Sequence, residues 1–162
     1  MYIFTREEFE ELEKLIKKTK ERLKEIIQLK AEAHSGQDGW HDEGFQMFQR
    51  EEMMLNKRLS ELQTLRRNAQ VIDPEEQNEV VKIGNGVVIE YEDGKTLEFI
   101  LDGYIITPSK NRISIYSPLG RILQGAKKGE ERILLIGKTK RVVTVKEIYS
   151  PSVAKILLSG NK

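Results

Sequence analysis

The sequence predicts an α+β protein in which a long antiparallel α-helical coiled-coil hairpin precedes a small antiparallel β domain with one short helix. Two features of the sequence indicate this fold. Over the first 70 residues, apolar side chains recur at alternating spacings of three and four, as in a coiled-coil seam. From Val80 onward, short β-branched runs alternate with glycines, which is typical of strands and turns.

The first helix is predicted to begin near Thr5. Thr5 and Glu8 have the spacing of a capping box, in which each side chain satisfies a free amide of the first helical turn. Neither proline nor glycine follows until Gly36, so the helix runs for about 29 residues, or roughly 43 Å. Its seam positions are apolar or small: Phe9, Leu12, Ile16, Thr19, Leu23, Ile26 and Ala33.

A second helix follows a glycine-rich break at residues 35–44. The same spacing resumes at Phe45, Phe48, Leu55, Leu59, Leu62 and Ala69. Two helices of similar length joined by a short segment predict an antiparallel hairpin over residues 1–70, with residues 35–44 at its tip. Residues 71–79 contain Pro74 and four acids without periodicity, and are predicted to be a linker.

Residues 80–149 are predicted to form the β domain. Two strands flank an Asp93-Gly94 turn, a strong hairpin signal. The runs ISIYS, RILLIG and RVVTVKEIY predict further strands, and residues 118–125 a short helix between them. Residues 150–162 form a tail, for which the sequence leaves a short helix and disorder open.

Composition excludes several classes of site. The chain has no cysteine and two histidines, so disulfides, thiolate zinc sites and cysteine nucleophiles are excluded, and any catalysis must rest on carboxylates. No apolar run is long enough to span a bilayer, and the acidic start does not fit a signal peptide, so we expect a cytoplasmic protein without membrane contact. Residues 79–162 hold 14 basic and 9 acidic side chains, a bias that suits an RNA backbone or an acidic protein.

Three segments together resemble the Gre transcript-cleavage factor family. ISIYSPLGRILQGAKKGEE, residues 113–131, is similar to the family signature nearly position by position. NAQVIDP, residues 68–74, is similar to the family's hairpin exit, and LNKRLSELQ, residues 55–63, to its second helix. The resemblance covers residues 5–149 and implies that the C-terminal domain is FKBP-like.

The resemblance also implies a function. In this family the C-terminal domain docks at the rim of the RNA polymerase secondary channel and the hairpin enters the channel. Acidic tip residues then approach the active-site Mg²⁺, help to hold a second metal ion, and position water for cleavage of backtracked RNA. The cleavage is catalysed by the polymerase active site, so the resemblance implies that the factor is not itself an enzyme. The implied partners are RNA polymerase and, indirectly, the 3′ end of the nascent RNA, and the factor is expected to be a monomer.

The tip departs from the family pattern. An ungapped alignment places Asp38 on the family's functional aspartate and His41 on its functional glutamate. The resemblance therefore implies Asp38 as the principal catalytic and Mg²⁺-binding carboxylate, with Asp42 or Glu43 replacing the missing one and His41 as a further metal-ligand candidate. The plainer interpretation is that these are solvated loop residues.

Further positions have two interpretations each. Trp40 either covers the end of the hairpin or contacts polymerase or nucleic acid. Arg50 belongs to a solvated helix face or contacts RNA or the channel. The segment Ser117-Pro118-Leu119 resembles the family's polymerase-docking element, although it also fits a turn with a buried leucine.

Functions of other classes remain open at this stage. A non-catalytic secondary-channel regulator would have the same shape with an obstructing tip. An FKBP-like fold suggests a prolyl isomerase or chaperone, which is disfavoured because the domain lacks a tryptophan for the floor of an apolar pocket. A coiled-coil adaptor would make the signature match a coincidence.

Overall fold

A computed structural model describes residues 1–34 and 43–158, which fall into two compact units. The hairpin unit comprises Phe9–Ala69, and the β unit comprises Met1–Glu8 together with Gln70–Lys162. The first eight residues therefore group with the β unit. No helix in the described part of the chain is both long and apolar enough to cross a bilayer.

The hairpin unit consists of α1 (Arg6–His34), whose first turn belongs to the β unit, and α2 (Glu43–Arg67). Helix α1 has the predicted 29 residues. The seam positions Leu12, Ile16, Thr19 and Ile26 of α1 are buried, as is Leu62 of α2. The predicted spacing thus marks the face that α1 turns away from water.

Ion pairs across the seam show that the two helices run antiparallel. Early residues of α1 pair with late residues of α2, and late residues of α1 with early ones. The pairs are Glu13–Arg66 at 2.7 Å, Arg22–Glu51 at 2.9 Å and Lys30–Glu52 at 2.7 Å. Such partly exposed pairs each contribute at most about 1 kcal/mol, so they set register more than stability.

Two sheets and two short helices make up the rest of the chain. Strands β1 (Tyr2–Thr5) and β2 (Ala69–Ile72) form a two-stranded sheet. The larger sheet has the order β5-β4-β3-β7-β6, in which the strands are β3 (Gly86–Tyr91), β4 (Thr96–Asp102), β5 (Arg112–Ser114), β6 (Glu131–Ile136) and β7 (Thr139–Tyr149). The helices are α3 (Pro118–Leu123) and α4 (Pro151–Leu158).

The prediction of a purely antiparallel domain is wrong for one strand pair. β5 runs parallel to β4, with Ile100 opposite Arg112 and Asp102 opposite Ser114. The connection at residues 103–111 brings the chain back to Ile100, so β5 runs alongside the last three residues of β4 in the same direction. The sheet is therefore mixed. The sequence did not predict this, because side-chain periodicity identifies a strand without setting its direction.

The core of the β unit lies between the larger sheet and α3. Phe99 and Leu101 of β4 and Val143 of β7 are fully buried, and Leu119 and Leu123 of α3 belong to the same cluster. This arrangement fixes α3, the helix of the family-like signature, against the sheet.

Helix α4 occupies the tail for which the sequence left two outcomes open. Ala154 and Leu158 of α4 are buried. The close packing of α4 on β3 requires glycine at position 86, because a Cβ there would lie 2.9 Å from the Ala154 Cβ. The backbone N–H of Ser152 donates to the Glu76 carboxylate at 2.9 Å. The tail is thereby attached to both β3 and the linker.

Candidate functional site

Most of the hairpin tip lies outside the described residues. Asp38, Trp40, His41 and Asp42 all fall in the undescribed segment. Glu43 is the first residue of α2; it is exposed and forms no ion pair with any described residue. Within residues 1–34 and 43–158, no three His, Asp or Glu side chains are grouped to hold a metal ion. Any metal site at the tip would thus need the undescribed carboxylates or ligands from a partner.

Lys30 interrupts the seam pattern of α1, and the structure shows how it is accommodated. Its Nζ lies 2.7 Å from Glu52 Oε2 and 5.8 Å from the centroid of the Phe45 ring. The salt bridge neutralises the ammonium, and the ring face adds a weak cation–π attraction. Lys30 therefore fastens α1 to the first turns of α2, just below the tip.

Arg50 lies on an exposed face of α2. It lines an open depression of about 380 Å³ together with Phe45, Gln46 and Gln49. Arg50 makes no ion pair with other described residues, in contrast to Arg22 on α1. A solvated helix face and a contact with RNA or the channel both stay predictions for Arg50.

The signature SPLG is explained by the local structure of α3. Ser117 is the N-cap: its Oγ accepts the Gly120 N–H at 3.0 Å and donates to the Ser114 carbonyl at 2.7 Å. Pro118 occupies the first helical turn, where its missing N–H costs nothing. A Cβ on Gly120 would lie 2.0 Å from the Ser114 carbonyl oxygen, so only glycine fits.

Leu119 corrects the predicted docking element. Only 8% of its surface is exposed, because it packs in the core cluster with Leu123. The leucine is therefore buried, as the plainer interpretation has it, although it lies in a helix rather than a turn; docking of this segment on polymerase stays a prediction. Pro118 and Arg121 are exposed on the same helix, and Ser117 is half-buried.

A buried charge cluster joins the start of α1 to β4 and β5. The capping box is present as predicted: Glu8 Oε2 accepts the Thr5 N–H at 2.9 Å, and Thr5 Oγ1 accepts the Glu8 N–H at 3.4 Å. In addition, Arg112 donates from Nη2 to Glu8 Oε1 at 3.1 Å and from Nε to Asp102 Oδ2 at 2.6 Å. One guanidinium therefore bridges two carboxylates.

Glu8 is an ionisable side chain buried inside this cluster, and its pKa is raised. Glu8 is 1% exposed. Burial, followed by the negative charge and hydrogen bond of Asp102, raises the pKa of Glu8 from 4.5 to about 8, against the opposing effects of the Thr5 amide and Arg112. A proton on Glu8 leaves one anion, Asp102, facing one cation, Arg112.

Sequence reasoning identified Thr5 and Glu8 as a helix cap but missed Asp102 and Arg112. Arg112 lies 104 residues from Glu8 along the chain, and no local pattern connects them. A glutamate in a capping box usually lies at a solvent-exposed helix start, so nothing in the local sequence indicates that Glu8 is buried.

Comparison with known proteins decides the family. The profile described as "Transcription elongation factor, GreA/GreB, C-term" matches residues 76–150. The transcription elongation factor GreA of Thermosipho melanesiensis is 33% identical over 135 residues, covering 78% of this chain and 82% of the relative. The chain belongs to the GreA/GreB family of transcription elongation factors.

Two further relatives of this GreA/GreB-family chain differ in the activity that their names state. GreA of Clostridium acetobutylicum is 34% identical over 125 residues, covering 75% of this chain and 77% of the relative. The transcription inhibitor protein Gfh1 of Thermus aquaticus is 28% identical over 152 residues, covering 90% of this chain and 94% of the relative. The match to the family profile ends at residue 150, so α4 lies beyond it.

Proposed function

We propose that this GreA/GreB-family factor binds bacterial RNA polymerase through its β unit, places its hairpin in the secondary channel, and stimulates cleavage of backtracked RNA. Membership of the family carries the proposal, since the GreA relative matches most of both chains. The antiparallel hairpin supports it, because the end of α1 at His34 and the start of α2 at Glu43 lie at the same extremity of the hairpin unit. The factor would act in the cytoplasm, as a cofactor of the polymerase rather than as an enzyme.

The tip carboxylates would supply oxygen ligands. Bound at the polymerase active site, Mg²⁺ would supply Lewis-acid stabilisation of phosphodiester cleavage. Asp38 is the principal ligand in this proposal, Asp42 or Glu43 replaces the carboxylate missing at His41, and His41 is a secondary candidate. Glu43 is compatible with this role because its carboxylate is exposed and has no cationic partner among the described residues.

The cleavage assay separates catalysis from binding. A stalled, backtracked elongation complex is incubated with the factor, and the RNA length is followed with time. Asp38→Asn and the paired Asp42→Asn, Glu43→Gln variant are each expected to lower the cleavage rate about tenfold or more while polymerase affinity is retained. Glu61→Gln, an exposed acid far along α2 from the tip, is the matched control and should leave the rate unchanged.

Equal cleavage rates for the parent and both tip variants would show that the tip carboxylates are not catalytic. Loss of affinity in the tip variants would instead make them binding residues.

Docking on polymerase is proposed to use the exposed surface of α3 rather than Leu119. Pro118 and Arg121 present their side chains to solvent beside the half-buried Ser117. The Pro118→Glu, Arg121→Glu double variant is expected to weaken polymerase binding at least tenfold without unfolding the sheet. Lys95→Glu, a charge reversal at the exposed turn between β3 and β4, is the control away from α3. Unchanged affinity of a folded α3 variant would remove this element from the interface.

A second candidate function is inhibition through the same channel. Two observations favour it: the Gfh1 relative, a transcription inhibitor, matches 90% of this chain, and His41 stands where the family has a carboxylate. In this case the parent protein would slow RNA extension and leave backtracked RNA uncut. The cleavage assay therefore distinguishes the two candidates directly.

A further inference from the structure

Strand β6 forms one lateral edge of the larger sheet. A two-residue turn joins it to β7, and in such hairpins the flanking residues, here Ile136 and Thr139, exchange backbone hydrogen bonds. Bonding alternates along an antiparallel pair, so the N–H and C=O groups of Ile133 and Leu135 point away from β7. No described residue bonds to those amides. The edge therefore offers unpaired donors and acceptors to a further strand.

The side chains on this edge are apolar where protective charges would be expected. Ile133 is 51% exposed and Leu135 is 64% exposed. Both lie on the face of the sheet opposite the buried Leu134, and Val142 stands beside Ile133 on β7. Sheet edges usually carry lysines, prolines or bulges that prevent pairing with another chain. This strand has none of these between Ile133 and Ile136.

The charges at the two ends of β6 indicate what pairs with it. Glu131 lies at its start and Lys138 in the turn that follows it; both are exposed, and neither forms an ion pair within residues 1–34 and 43–158. A strand that is acidic at one end and basic at the other is complementary to an antiparallel copy of itself. Each acid would then meet the base of the second copy.

We propose that the β6 edge pairs antiparallel with β6 of a second copy of this chain. With the two-fold axis at Leu134, Ile133 stands opposite Leu135 of the second copy, and the outward-pointing backbone groups of both strands meet. Glu131 then faces Gly137 and lies beside Lys138 of the second copy. The two Ile133–Leu135 contacts form one apolar cluster on the exposed face.

This pairing closes on itself and is weak. Each chain contributes one β6 edge, and the opposite edge, β5, has only three residues, so the association stops at a dimer. A single strand buries less than the roughly 800 Å² per partner that stable interfaces use, so dimers form only at high protein concentration. The expectation of a monomer from the family resemblance then applies to dilute protein.

The test is sedimentation velocity of the full chain over a wide concentration range. The parent is expected to shift from monomer to dimer as its concentration rises. Leu135→Lys, which places a charge on the exposed edge without disturbing the core, should remain monomeric at every concentration. Ile156→Lys, at a position 78% exposed on α4, is the matched control and should dimerise like the parent.

Charge exchange tests the antiparallel register. Glu131→Lys alone and Lys138→Glu alone each create two like-charge contacts per dimer and should weaken it several-fold. The double variant restores opposite charges and should recover parental dimerisation. A parent that stays monomeric throughout, or a dimer insensitive to Leu135→Lys, overturns the proposal. If Leu135→Lys changes only polymerase affinity, the edge belongs to the polymerase contact and the proposal is also overturned.

Discussion

Replacing Glu8 by glutamine should remove a specific pH dependence from the stability of the β unit. Glu8 has a raised pKa because it is buried and faces Asp102, so the folded protein holds its proton more tightly than the unfolded chain does. An acid with a raised pKa in the folded state contributes stability below its unfolded pKa, and that contribution is lost as the pH rises through the folded value. Parental stability should therefore fall on going from mildly acidic to mildly alkaline pH.

The size of the effect follows from the shift. The pKa of Glu8 changes from 4.5 to about 8, and each unit corresponds to about 1.4 kcal/mol. Between about pH 5 and about pH 8 the unfolding free energy should then decrease by up to about 3 kcal/mol, with relaxation of the cluster reducing that figure. Glutamine is neutral at all these pH values and nearly the same size, so its profile should be flat by comparison.

Tyrosine signals make the measurement specific to one unit. All five tyrosines lie in the β unit, whereas Trp40 belongs to the hairpin. Denaturant unfolding followed by near-ultraviolet circular dichroism should be recorded for parent and Glu8→Gln at several pH values. Other acids with shifted pKa values do not interfere, because theirs are lowered and titrate below this range: Asp73, Glu76, Asp93 and Glu147.

Parent and variant contain the same other ionisable groups, so the difference between their two pH profiles isolates Glu8. The free-energy difference between parent and variant should shift in favour of the variant as the pH rises. Parallel profiles for the two proteins would refute the assignment of a buried, protonated Glu8 at neutral pH.

Three further outcomes are expected. Gly120→Ala should destabilise the β unit by more than about 2 kcal/mol in denaturant unfolding, because the added Cβ would overlap the Ser114 carbonyl. The control Gly125→Ala meets no neighbouring atom and is strained only by its positive φ, so it should cost about 1–2 kcal/mol. Arg112→Met should cost about 3–5 kcal/mol by calorimetry at neutral pH, since it leaves the buried Asp102 carboxylate without its cation; a loss below about 1 kcal/mol would contradict the bridge. Trp40 fluorescence should be quenched by a water-soluble quencher and change on adding polymerase, and a blue-shifted, unquenched emission would exclude an open tip.

The helical hairpin was largely predictable because its determinants are local. Apolar spacing marked Leu12, Ile16 and Ile26, which are buried, and the Thr5–Glu8 spacing marked a capping box that is present. Each of these depends on side chains within a few turns of one another. The SPLG part of the family signature was equally readable, because Ser117, Pro118 and Gly120 are fixed by the geometry of one short helix.

The sequence by itself determined the two long helices, the strands of residues 80–149 and the family resemblance, but not β1, β2 or α4. The tertiary structure decided the parallel direction of β5, the burial of Leu119, and the bridge from Glu8 through Arg112 to Asp102. These features depend on contacts between segments far apart in the chain. Periodicity records which face of an element is apolar, but strand direction and the pairing of buried charges are set only when those faces meet.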